Sequence, residues 1–173
     1  MNGSMRPWHG TLAYEDRFTV DGRRFLPDAL RWASSPLPLL SRDDEPFALN
    51  TVIGRVDKIW REDYEIKARG VLLKELPFDT ELLDDPMILP CGIEAVIEES
   101  EQGFAHLTIH KAKLRAVVTC AGYQPAWPDV ALHLEPLQQT PEEFKREREG
   151  QWLEARPKHY NVFKASRGED PWE

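Results

Sequence analysis

The chain has 173 residues, 41% hydrophobic and 30% charged, which is enough for one globular domain with or without a tail and argues against a disordered chain. Its 22 basic and 30 acidic side chains give a formal net charge of −8, which excludes a general nucleic-acid binder, because neutralising phosphates needs a basic face. No stretch approaches the roughly 18 apolar residues of a membrane span, the segment MNGSMRPWHG has no apolar signal core, and two cysteines, Cys91 and Cys120, are too few for a disulfide scaffold or a zinc ligand set and fit free thiols in a reducing compartment.

Fourteen prolines, eleven of them from Pro27 to Pro141, cut the chain into pieces too short for long helices, so the body is expected to be strands and turns. Gly10 to Val20 reads as a strand ending in the turn signal Asp21-Gly22. Phe25 to Trp32 reads as one short helix with Pro27 in its first turn. Pro36 to Leu40 is held extended by its prolines. Thr51 to Leu73 is the clearest pattern: apolar and polar residues alternate on both sides of the polar turn Arg61-Glu62-Asp63-Tyr64, which predicts a β-hairpin. Leu76 to Leu89 reads as a connector with a turn or two of helix near Thr80 to Leu83. Gly92 to Glu98 and Phe104 to Val118 read as a second hairpin about the turn Glu99 to Gly103. Val130 to Leu134 reads as a last short strand.

From Thr140 the character changes. Thr140-Pro141-Glu142-Glu143 forms a capping box, with a proline at the first helical position, and predicts a helix to about Ala155. Residues 141–173 carry 8 acids and 7 bases, so nearly all the net negative charge lies in the body. The tail is nonetheless rich in aromatic side chains. Phe144 and Trp152 in the helix and Tyr160, Phe163 and Trp172 beyond Pro157 are the candidate partner-binding residues, and the stretch past Pro157 reads either as an arm that docks on a neighbouring subunit or as a disordered end.

Candidate chemistry is sparse. His106 and His110, on one face of a strand, would stand roughly 13 Å apart, too far to share a metal ion, and no metal-binding motif accompanies them, so no metal is expected. Gly54, Gly70, Gly92, Gly103 and Gly122 are isolated, which leaves no phosphate cradle, and no cofactor is expected. Cys91, between Pro90 and Gly92, suits either an exposed nucleophile or a small buried residue. Spacing alone does not pair it with a histidine.

Three stretches carry a family resemblance. The first runs from Gly10-Thr11-Leu12-Ala13-Tyr14-Glu15 through Thr19-Val20-Asp21-Gly22-Arg23 to Leu26-Pro27-Asp28-Ala29-Leu30-Arg31-Trp32 and Pro36-Leu37-Pro38-Leu39. The second is Val52-Ile53-Gly54-Arg55-Val56-Asp57 with the return Ile66-Lys67-Ala68-Arg69-Gly70. The third is Ala121-Gly122-Tyr123-Gln124-Pro125-Ala126-Trp127. Together they resemble the prohead (capsid maturation) proteases of tailed bacteriophages, particularly those of actinobacterial viruses, over about residues 8–135. The resemblance implies a mainly β fold: a small β-barrel like that of the herpesvirus assemblins, with short helices, followed by a C-terminal helix and an extended arm. The implied division is 8–137 for the β domain and 138–173 for the helix and arm.

Members of that family use a serine nucleophile activated by a histidine. The alignment of motifs places Phe47 at or beside the histidine position and Gly92 at the serine position. Shifting by one residue offers Cys91 but loses the match at Ile93-Glu94. The resemblance therefore implies a non-catalytic virion structural protein, a capsid decoration or minor capsid protein. Its expected partners are the major capsid protein and further copies of itself, with no nucleic acid and no membrane. Its expected location is the capsid, and the host cytoplasm during assembly. The alternatives are a divergent maturation protease using Cys91 with His106 or His110, or a transient assembly factor.

Overall fold

The structure is a computed structural model and describes residues 5–34, 36–42, 51–73, 85–120 and 125–136. The chain divides into two compact units, Met1–Leu137 and Gln138–Glu173. The expected tail helix, the five tail aromatics, Phe47 and the helical turn expected near Thr80 to Leu83 all lie outside the described residues.

The described part of the first unit is built from nine strands: β1 (Arg6–Tyr14), β2 (Arg23–Phe25), β3 (Leu30–Arg31), β4 (Leu37–Arg42), β5 (Thr51–Glu62), β6 (Glu65–Leu72), β7 (Ile88–Gln102), β8 (Leu107–Cys120) and β9 (Ala131–Leu134). Seven of them close a barrel in the order β8-β4-β5-β6-β1-β9-β7 and back to β8. The mainly β class and the barrel expected from the sequence are thus present.

Closure depends on β8, which is paired on both edges. β7 runs antiparallel along one edge, from Cys91 opposite Thr119 to Gln102 opposite Leu107. Along the other edge β2, β3 and β4 lie in file, all parallel to β8, opposite Leu107–Ile109, Ala112–Lys113 and Val117–Cys120. The hairpin of β5 and β6 forms where alternation predicts it. Its turn is tighter than expected, only Asp63-Tyr64, and Asp63 takes a positive φ of 53°, a conformation aspartate tolerates better than most residues.

Local irregularities bend flat strands into a barrel, among them three in β1 and β5. In β1 the pairing with β6 skips Leu12, so Leu12 and Ala13 both point into the core. In β5, Ile53 is extra against β4 and Asp57 is extra against β6. Gly70 allows a close approach: a Cβ there would collide with Arg55 O on β5 and lie 2.7 Å from the ring of Trp8, which packs across it. The core joins Trp8, Leu12, Leu39, Ile66, Leu114 and Trp127, all essentially buried, with the other inward faces of the barrel.

Three expectations need correction. The second hairpin turns at Gly103–His106 rather than at Glu99–Gly103, because β7 stays paired with β8 as far as Gln102. The strand from Gly10 stops at Tyr14 rather than Val20, because Asp16 turns the chain with a φ of 58°. Phe25 to Trp32 is not helical. Leu26-Pro27-Asp28-Ala29 makes a tight turn closed by Ala29 N–H donating to Leu26 O at 3.0 Å, with proline second and a positive φ of 66° at Asp28 third, the pattern of a type II turn. The cause lies outside the segment. The Glu15 carboxylate, buried to 1% exposure, accepts from Asp28 N–H at 3.0 Å and Leu30 N–H at 2.9 Å. The Arg61 guanidinium closes the same carboxylate with two bonds of 2.9 and 3.0 Å and donates a third, of 2.8 Å, to Leu30 O. These bonds hold the amides of the turn in place, and a helix would point them elsewhere.

Arg61→Ala should therefore destabilise the barrel by about 3–5 kcal/mol, because it leaves a buried carboxylate without its cation. Arg55→Ala removes only the exposed pair with Asp57 and should cost less than about 1 kcal/mol. Denaturant unfolding of both variants measures the difference, and equal small effects would remove Glu15–Arg61 from its structural role.

Candidate functional site

The resemblance directs attention to β7, where Gly92 sits at the implied nucleophile position. Strand alternation fixes what surrounds it. Leu89 and Cys91 point into the core, and Cys91 Sγ lies 3.8 Å from Thr11 O. Gly92 is opposite Val118 and faces the other way, out of the barrel. Val118 is beside Leu40 in the parallel pairing of β8 with β4. Leu40, Ala116 and Val118 form a small buried apolar cluster separate from the main core. The surroundings of Gly92 on this face are thus aliphatic. Thr119, next along β8, faces the core side, and its Oγ1 donates to Leu40 O at 3.2 Å.

The histidines lie elsewhere. His106 is in the turn before β8, not on the strand as expected, and its ring rests 4.7 Å from that of Phe18. His110 is on β8, 3.7 Å from Glu101. Cys91 is opposite Thr119, nine residues along β8 from His110, or roughly 30 Å at strand rise. The fold does not bring Cys91 together with His106 or His110. It does bring together His9 and His133, cross-strand neighbours on β1 and β9 with rings stacked at 5.6 Å. Sequence reading missed this pair because only the β1–β9 register creates it. Among the described residues no group of three or more side chains is placed to hold a metal ion.

A second locus is a cleft of about 210 Å³ between β7 and the loop that follows β1. Its apolar wall comes from Phe25, Ile93, Ala95, Ile97 and Trp127, and Thr19, Arg23 and Glu94 also line it. Trp127 is fixed from three sides: its indole N–H donates to Arg17 O at 3.3 Å, Phe25 packs at 5.8 Å and Tyr14 meets it edge-on at 6.3 Å. Beside it, Asp129 accepts from Arg17 at 2.8 Å and from the Tyr14 hydroxyl at 3.2 Å. The Arg17 bond holds the Asp129 carboxyl below its ordinary range. Partial burial, then the charge of Asp129, raises the Tyr14 hydroxyl. Arg23 is tied to Asp21 by an ion pair at the mouth. The cleft therefore has a rigid apolar wall and a polar rim in which Arg23 is paired with Asp21, an arrangement suited to receiving an apolar side chain.

The chain matches no protein-family model, no curated protein and no solved structure.

A buried Cys91 makes a direct chemical prediction. In a Cys120→Ser background, Cys91 should react with Ellman's reagent only when denaturant unfolds the barrel. Rapid stoichiometric reaction of the native protein would show an accessible thiol and reopen the nucleophile reading.

Proposed function

We propose that this chain is a non-catalytic virion structural protein, a capsid decoration or minor capsid protein that binds the major capsid protein of a tailed bacteriophage. The observation that carries the reading is the setting of Gly92. Where the resemblance calls for a serine, the outer face of β7 offers a residue with no side chain, paired with Val118 and beside the Leu40–Ala116–Val118 cluster. Glycine has no nucleophile, and loss of one member of a catalytic unit already removes most of its activity. Phe47 at the histidine position extends the same argument from the sequence.

The remaining features fit a binding role. The closed barrel is a rigid body for presentation on a repeated surface. The body's net negative charge disfavours adhesion to packaged nucleic acid. Phe144, Trp152, Tyr160, Phe163 and Trp172 supply apolar anchors in the tail, and weak anchors gain strength when many copies bind one lattice.

The test is the protein content of mature particles of the phage that encodes the chain. The reading predicts the full-length chain in fixed stoichiometry to the major capsid protein, by gel and mass spectrometry. Absence from mature particles, or capsid-protein cleavage by the purified chain that Cys91→Ala abolishes, would overturn it.

A further inference from the structure

The distal part of β7 presents an open strand edge. β8 occupies one edge of β7 as far as Gln102, whereas β9 reaches the other only at Ile88–Pro90. Among the described residues no strand pairs with that second edge from Gly92 onward. The edge is also regular near the barrel. Of the three register shifts in the β7–β8 ladder, two leave the extra residue on β8, at Arg115 and His110, and only Glu98 is extra on β7. Gly92–Ile97 is therefore a continuous run of extended chain with alternate N–H and C=O groups directed outward. The cleft walled by Ile93, Ala95, Ile97, Phe25 and Trp127 lies alongside it.

Open edges invite pairing, and natural proteins commonly guard them with charge. Here the guard is acidic. Residues 94–101 include Glu94, Glu98, Glu99 and Glu101 and no base. Lys111 pairs with Glu99 at 2.8 Å and His110 approaches Glu101. Glu94 and Glu98 have no ion pair among the described residues. Two such edges laid together would repel, so edge-to-edge pairing of β7 with β7 is disfavoured. A basic extended segment would be attracted instead.

The chain's own sequence contains one. Residues 156–167, Arg-Pro-Lys-His-Tyr-Asn-Val-Phe-Lys-Ala-Ser-Arg, hold four bases and no acid, although acids flank them at Glu154 and Glu169. Read with strand alternation, Lys158, Tyr160, Val162 and Lys164 fall on one face and His159, Asn161, Phe163 and Ala165 on the other. β7 has the complementary arrangement. Glu94, at the cleft's rim, and Val96 fall on the exposed face, and Ile93, Ala95 and Ile97 wall the cleft.

We propose that the open edge of β7 accepts residues 156–167 of a second copy of this chain as an added β-strand. In an antiparallel register Phe163 then enters the cleft opposite Ala95, Lys164 lies opposite Glu94, and Lys158, two residues beyond the position opposite Glu98, reaches it diagonally. Main-chain bonds to the edge supply affinity, and the cleft and the charges set the register. Reciprocal exchange closes a dimer, and serial exchange builds a ring or chain. The proposal rests on the edge, the cleft and the charge pattern, and it does not depend on the virion reading.

Charge exchange in the full-length protein tests it. Wild type should self-associate in sedimentation velocity, more weakly as salt rises. Glu94→Lys with Glu98→Lys should weaken association at least tenfold, and so should Lys158→Glu with Lys164→Glu. Mixing the two variants one to one should restore it, because the exchanged charges at 94 and 98 of one then meet the exchanged charges at 158 and 164 of the other. Phe163→Ala probes the same contact without changing charge and should also weaken it at least tenfold. Circular dichroism and unfolding midpoints matching wild type keep misfolding out of the comparison. A wild type that stays monomeric at all concentrations, variants that associate like wild type, or a mixture that stays monomeric would each overturn the proposal.

Discussion

A carboxylate with 1% exposure is costly to bury, and the Glu15 site shows how that cost is offset. Two backbone amides and a two-pronged guanidinium satisfy both of its oxygens. The donors come from the turn after β2 and from the end of β5, so one side chain ties three separate parts of the chain together. The bonding is reciprocal: Glu15 N–H donates to Tyr64 O at 2.8 Å, which anchors the carboxylate's own backbone to the β5–β6 turn. Glu15 in turn raises the Arg61 guanidinium further above its ordinary range, through the hydrogen bond first and the charge second. Trp32 lies 5.2 Å under the same guanidinium. With the turn fixed, β2 and β3 enter the file along β8, and Phe25 becomes a wall of the cleft.

Local pattern reveals what local pattern determines. The β5–β6 hairpin was legible because alternation and a polar turn lie within one stretch. The extension of Pro36 to Leu40 was legible because proline fixes its own φ. The segment from Phe25 to Trp32 was misread because its conformation is set by Glu15, thirteen residues before Asp28, and by Arg61, thirty-one residues after Leu30. Barrel closure shares that difficulty. The Leu40–Val118 contact spans the chain from β4 to β8, and no short-range spacing announces it. The stacked His9–His133 pair was invisible for the same reason.

Gly92 illustrates a different relation between sequence and site. Motif resemblance named its position, and the β7–β8 register then fixed its face. Cys91 and Gly92 are neighbours in sequence but lie on opposite sides of the strand. A one-residue shift in alignment, harmless on paper, carries the side chain from the outer face of the strand into the barrel core. That geometry separates the two readings of Cys91 left open by the sequence, since its side chain is among the most buried in the barrel. The same alternation gives β7 two distinct outer and inner rows farther along, with acids on one and the cleft on the other.

The central claim is that the Glu15 carboxylate holds the 26–30 turn in its non-helical form. Amide hydrogen exchange at Asp28 and Leu30 tests it most directly, since both N–H groups donate to that carboxylate. The account predicts protection close to that of the core strands, with opening tied to global unfolding, and loss of that protection in Glu15→Gln at a pH and temperature where the barrel remains folded. Fast exchange of both amides in the wild type, or unchanged protection in the variant, would contradict it.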